Sequence, residues 1–135
     1  MQYWLIKSEP YKYSWEDLEK DGWTFWDGVR NYGARNNLRD MQKCDLCLYY
    51  HSNEGKEVVG VAEVIKEHYP DPTIDDERWV AVDVKPVLKF KQPVTLKQIK
   101  SDDNLANMEM LRLNRLSVSK VTEEEFNYIK SLGNQ

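Results

Sequence analysis

Arg30, Arg35 and Arg39 are half of the chain's arginines and fall within ten residues, interleaved with Asn31, Asn36 and Asn37. On a helix Arg35 and Arg39 are i,i+4 neighbours and share a stripe with Asn31, beside the apolar stripe Ala34, Leu38 and Met41. Asparagine is a poor helix former, so helix propensity does not account for three of them here. A guanidinium presents a planar fork to phosphate, and a carboxamide both donates to and accepts from a base edge. The residue types therefore suit nucleic acid or another anion. Taken alone, the segment is explained equally well as a solvated helix with Asn caps.

Two smaller clusters share this chemistry. Tyr50-His51-Ser52 precedes a glycine turn, which puts His51 and Ser52 at a sheet rim, where a backbone carbonyl satisfies a lone histidine in the more frequent case. Arg115-Leu116-Ser117 offers a cation and a hydroxyl, and a strand with alternating exposed residues accounts for it as well. Catalytic readings are weaker. Ser8, His51 and some Asp can be drawn as a triad, but any chain of this length permits that. There is no G-x-S-x-G elbow and no glycine-rich phosphate loop. His51 and His68 lack metal-ligand spacing, and Asp75-Asp76 falls in a turn. Cys44 and Cys47 form a lone C-x-x-C with no second ligand pair. Within the run Cys44–Tyr50, read as a strand, they point to opposite faces, which predicts neither a shared metal nor a mutual disulfide. The expectation is no catalytic residue, no metal and no cofactor.

The elements that must position these groups are short. The chain has 135 residues, 41% hydrophobic and 31% charged, which predicts one globular domain over 1–135. No apolar run approaches the ~20 residues of a membrane span, and residues 1–7 lack a secretory signal pattern. An intracellular protein without membrane attachment is expected, cytoplasmic in a bacterium or nuclear in a eukaryote, and a monomer is assumed. A net charge of −4 argues against coating nucleic acid by bulk electrostatics but leaves room for a local basic patch. Five Trp and eight Tyr exceed what so small a core needs, and both types suit wet pockets as well as interiors. Strands are predicted over 3–7, 45–51, 58–65, 79–88 and 113–118. Helices are predicted over 14–20, 31–41, 96–100, 105–111 and 122–133. Capping-box pairs Ser14/Asp17 and Thr122/Glu125 mark two of the helix starts. This order predicts an α+β fold, with a curved, largely antiparallel sheet of five or more strands closing toward a barrel and flanked by short helices.

The runs Tyr3-Trp4-Leu5-Ile6-Lys7-Ser8-Glu9-Pro10, Trp26-Asp27-Gly28-Val29-Arg30-Asn31-Tyr32, Ala34-Arg35-Asn36-Asn37-Leu38-Arg39, Tyr50-His51-Ser52, Tyr69-Pro70-Asp71 and Arg115-Leu116-Ser117-Val118 together resemble the motifs of the EVE domain, in order and spacing along nearly the whole chain. Gly33 departs from that pattern, which has a larger polar residue such as Gln there. The resemblance implies a PUA-like fold related to YTH domains, which read N6-methyladenosine in RNA through an aromatic cage. It also implies a partner nucleic acid, DNA with a modified cytosine or RNA with a modified base, held by one base in a pocket. Carried over by position, Tyr13-Ser14 and Asp17 resemble the start of the YTH pocket and Trp26 its first cage tryptophan, with Trp79 as candidate second wall; Ser8, Asp27, Asn31, His51 and Ser52 complete the expected pocket. Arg30, Arg35, Asn36, Arg39, Arg115 and Ser117 would hold the flanking strand. An extruded base stacked on Trp26 regains roughly 1–3 kcal/mol, whereas one added methyl contributes only about 1 kcal/mol by area. Selectivity therefore requires polar groups as well. A module for free modified nucleosides and an enzyme acting on modified bases are the alternatives.

Overall fold

The computed structural model describes all residues, 1–135. The chain runs β1 (Tyr3–Ser8), α1 (Trp15–Asp21), β2 (Thr24–Trp26), α2 (Tyr32–Asp40), β3 (Leu46–His51), β4 (Glu57–Pro70), β5 (Val80–Thr95), α3 (Leu96–Ser101), a single 3₁₀ turn (Asp103–Leu105), α4 (Glu109–Arg112), β6 (Val118–Val121) and α5 (Glu123–Gly133). The strands form one six-stranded sheet in the order β2-β5-β4-β3-β1-β6. Only β1 and β3 pair in parallel, and every other neighbour is antiparallel. The α+β class expected from the sequence is observed, with the sheet curled but not closed. No helix is long and apolar enough to cross a membrane.

Alternation along β1 and β3 explains why the sheet is covered on both faces. Trp4, Ile6, Cys47 and Tyr49 join one buried cluster with Trp15 and Leu18 of α1 and Ala34 and Leu38 of α2. Their neighbours Leu5, Leu48 and Tyr50 join a second with Ile99 of α3, Met110 of α4 and Phe126 and Ile129 of α5. A strand buried on both faces reads as a near-continuous apolar run, as both of these do. Helix α2 touches β4, β5 and the far edge strand β6, so the sheet bends around it. The buried Asn37 side chain fastens that arrangement by donating its Nδ2–H to the carbonyl of Val118 at 2.7 Å. Helix α1 lies close on the sheet because Gly60 has no side chain. A Cβ there would stand 2.6 Å from the Leu88 carbonyl oxygen and 2.8 Å from the Trp15 ring.

Several boundaries differ from the sequence expectation. The three-residue edge strand β2 was not anticipated; it pairs Thr24, Phe25 and Trp26 with Val84, Asp83 and Val82. Strands β4 and β5 extend well past 65 and 88, because their long hairpin tolerates Pro86 at a register shift. The segment 113–118 is mostly irregular, and the closing strand starts at Val118. Cys44 is not on a strand. It occupies an exposed turn with φ +79°, while Cys47 is buried on β3, and both thiols are free. The two cysteines are thus divided between a turn and a strand instead of lying on opposite faces of one strand.

The residue between them is a structural hub. Asp45 is buried, and its carboxylate accepts the backbone N–H of Gln2 (3.0 Å), the indole N–H of Trp4 (3.1 Å) and the backbone N–H of Gln42 (2.9 Å). Substituting Asp45→Ala strands three donors around a buried site. It is expected to cost about 3 kcal/mol or more in unfolding free energy, read from denaturant midpoints at unchanged m-value.

Candidate nucleic-acid interface

A cavity of about 550 Å³ opens where the C-terminal end of β1, strand β2 with its following loop, and the segment before β6 converge. This is within the range of small-ligand sites. Backbone pairing sets its frame. Ser52 N–H donates to the Ser8 carbonyl, and Lys7 N–H donates to the Ser117 carbonyl, both at 2.9 Å. On one side Tyr13 is held by its backbone and by its ring. Its carbonyl accepts from Ser8 Oγ (2.7 Å) and from the Tyr49 hydroxyl (3.0 Å), and its own hydroxyl donates to Asp21 (2.8 Å). Burial first, and the Asp21 acceptor next, push the Tyr13 phenol up to about 12, so it stays a donor at neutral pH.

Trp26 belongs to both the cavity wall and the core. Its indole meets Tyr49 edge-on, with centroids 5.5 Å apart at 81°, and only 7% of the residue is exposed. Phe25 beside it is 38% exposed and also lines the cavity. The wall then turns at Gly28, whose φ of +76° suits a residue without a side chain. That turn is clamped by Asp71, at the end of β4. One carboxylate oxygen accepts from Gly28 N–H and from the Arg30 guanidinium, each at 2.9 Å, and the other accepts from Thr73 N–H (2.8 Å) and Thr73 Oγ1 (2.5 Å). Burial pushes this carboxyl upward, but the Thr73 and Gly28 hydrogen bonds and the Arg30 donor together outweigh it and bring the pKa down to about 2.

Of the residues expected in or beside the site, the structure brings Ser8, Tyr13, Trp26, Asp27, Ser52, Arg115 and Ser117 to this cavity. The others stand elsewhere. Asp17 completes the α1 capping box, accepting from Ser14 N–H at 2.9 Å, and Asn31 caps α2 by accepting from Ala34 N–H at 3.1 Å. His51 turns its Nε2 to the Trp15 N–H (3.1 Å), and burial lowers its pKa against the opposing pull of Glu16 and Glu57. Trp79 stacks on Tyr32, with centroids 5.1 Å apart at 30°. Arg30 is paired with Asp71, and Arg35 lies 4.9 Å over the Tyr32 ring while donating to Asn36 Oδ1. Arg39 is exposed in the last turn of α2.

Sequence reasoning missed Lys7, Glu9, Lys12, Phe25 and Asn114 in the lining. Lys7 and Glu9 were visible inside the Tyr3–Pro10 run, and Phe25 in the aromatic run 23–26. Lys12 and Asn114 carried no signal. The Lys7 amine donates to the Asn114 carbonyl at 3.1 Å, and burial lowers its pKa. Gly33 does not line the cavity, but a Cβ there would sit 3.0 Å from the side chain of Leu116, which does. Chemically the cavity offers an aromatic floor, serine hydroxyls and two carboxylates to a planar polar ring, with cations at the rim for an attached anion.

The EVE domain family profile matches residues 2–132. Mouse thymocyte nuclear protein 1 is 37% identical over 96% of this chain and 73% of its own length. Among solved structures, a protein from Agrobacterium tumefaciens superposes with TM-score 0.96 at 46% identity, covering 98% of this chain and 93% of that one. Human THYN1 protein, described in complex with 5-methylcytosine-containing DNA, superposes with TM-score 0.93 at 34% identity, covering 100% and 99%.

Two pH effects follow from these geometries. A histidine whose folded pKa lies below 6.5 is protonated first in the unfolded chain. Its contribution is therefore complete above that value and declines as pH falls below it. His51→Gln keeps an acceptor for the Trp15 N–H and is expected to flatten the wild-type decline in denaturant midpoint between pH 7 and 5.5. The depressed Asp71 carboxyl acts at lower pH. Its contribution, about 2 kcal/mol, is complete above the ordinary value of 3.8 and is lost as pH falls toward about 2. Asp71→Asn is expected to remove that acid-limb dependence and to lower stability at neutral pH, followed by thermal unfolding across the range.

Proposed function

The chain belongs to the EVE-domain family, and from that premise we propose that it is a nucleic-acid-binding reader that takes one modified base into the cavity on Trp26. The observation that carries this reading is the human relative described with 5-methylcytosine-containing DNA, whose fold this chain matches over its full length. The cavity supports it from below. A base extruded from its stack loses π-partners that Trp26 and Phe25 can replace, and the Ser52 hydroxyl, the Asp27 carboxylate and the Ser8 oxygen as an acceptor, all lining the cavity, are our candidates for reading the base edge. Arg115 and Ser117, which line the same cavity, are our candidates for the attached phosphate.

Binding rather than catalysis is the role these side chains suit. The Ser8 hydroxyl is directed at a backbone carbonyl, and His51 accepts from a helix N–H, so neither is free to act as nucleophile or base. The cation rim suits a polymer better than a free nucleoside. We place such a reader inside the cell and assign the base-binding role to the EVE domain matched over residues 2–132.

The test is a binding panel of otherwise identical DNA and RNA oligonucleotides carrying 5-methylcytosine, 5-hydroxymethylcytosine, N6-methyladenine or no modification. At least one modified oligonucleotide is expected to bind several-fold more tightly than its unmodified twin, with affinity falling as salt rises. Equal binding of modified and unmodified oligonucleotides would overturn the reading. Equally tight, salt-independent binding of the free nucleoside would replace it with a small-molecule module. Because Trp26 is also packed in the core, Trp26→Leu is the informative variant. It keeps an apolar side chain smaller than the indole, and is expected to remain folded with a lowered denaturant midpoint while losing about five- to hundredfold in affinity for the preferred oligonucleotide.

A further inference from the structure

The cations that the fold leaves without a carboxylate partner are not confined to the arginine cluster. The three ion pairs of the molecule are Lys12–Glu9, Arg30–Asp71 and Arg78–Asp76, so two of the six arginines already have carboxylate partners. On the other side of the base cavity lie two further depressions. One, of about 280 Å³, shares Lys7, Ser52 and Asn114 with the base cavity. The next, of about 520 Å³, shares Lys56, Leu96 and Lys100 with the second and adds Lys97. Sharing these residues, they make a groove of adjoining depressions from the base cavity past the β3–β4 turn to α3.

The lining of that groove beyond the base cavity has one sign of charge. Lys7, Lys56, Lys97 and Lys100 face it, and no carboxylate lines either depression. None of the four lysines is in an ion pair, although Glu54 and Glu57 flank Lys56 in sequence. Lys56 is held there by the backbone. It adopts φ +48° after the Gly55 turn, and its carbonyl accepts the Leu96 N–H at 2.8 Å, joining the hairpin to the start of α3. Four unneutralised ammonium groups along one track, in a chain of net charge −4, concentrate the positive potential where a polyanion can lie.

We infer that this lysine groove is the track for the phosphodiester strand leaving the base cavity, with Lys56, Lys97 and Lys100 each facing a backbone phosphate. The inference rests on the base-reader reading for the origin of the strand, and it differs from the arginine-centred flank expected from the sequence. A lysine is a point charge on a flexible stem, so such a track holds phosphates without reading base identity.

The experiment compares wild type with the triple variant Lys56→Gln/Lys97→Gln/Lys100→Gln, all three exposed, and with a control that removes equal charge elsewhere, Lys85→Gln/Lys89→Gln/Lys91→Gln. Probes are single-stranded DNA and RNA twelve-mers with and without a central 5-methylcytosine, titrated at several salt concentrations. The groove triple is expected to lose at least tenfold in affinity at low salt. Its slope of log affinity against log salt should fall by about 2, from about 0.7 per phosphate released, with the ratio of modified to unmodified binding unchanged. The control is expected to keep the wild-type slope. A groove triple with the wild-type slope, or a control that loses as much, overturns the groove while the base preference stands by itself. A slope that falls as expected in a protein with no preference for the modified base supports the groove and defeats the reader. Failure of wild type to bind any twelve-mer defeats both. The DNA and RNA arms identify which strand the groove takes.

Discussion

The carboxylate of Asp71 holds the cavity wall in place. It sits at the end of β4 and gathers four donors from two loops, among them the Gly28 N–H and the Arg30 guanidinium more than forty positions earlier. A buried carboxylate without such donors would be costly to desolvate. With them, it fixes the turn after Trp26 in a geometry that its glycine permits. The same ion pair delivers Arg30 to 5.8 Å over the Trp79 ring, which stacks on Tyr32, which in turn carries Arg35. One anion thus organises both the wall of the cavity and the aromatic–guanidinium ladder at the start of α2.

Much of the fold was legible because its signals are local. The Ser14/Asp17 and Thr122/Glu125 boxes cap the helices that their spacing predicts, and the apolar runs of β1 and β3 became the doubly covered strands at the sheet's centre. Strand β2 was not legible, since three residues at an edge, one of them an exposed Phe, carry no alternation to detect. Asp17 and Asn31 show a different difficulty. The groups that cap a helix N-terminus are the same groups that read a base edge, and a sequence cannot say which donor they will meet. Here both meet backbone N–H groups. Asp71 was visible only as a motif residue, because its partners lie far away in the chain and no periodicity links them.

Charge tells a similar story. Arginine clustering near α2 was the strongest chemical signal in the sequence, yet the fold commits Arg30 to a buried anion and lays Arg35 across an aromatic ring. Lysines separated by more than forty residues in sequence, Lys7, Lys56 and Lys100, were unremarkable until the hairpin and α3 brought them to one groove. An acidic chain can in this way keep a cationic path next to an aromatic pocket.

Stacking of a modified base on Trp26 is read out by NMR on the protein bound to an oligonucleotide whose 5-methylcytosine methyl group is ¹³C-labelled. Nuclear Overhauser contacts are expected from that methyl group or its ring to the Trp26 indole and the Phe25 ring. A bound oligonucleotide whose labelled base contacts other residues, with the Trp26 and Phe25 resonances unmoved, would contradict it.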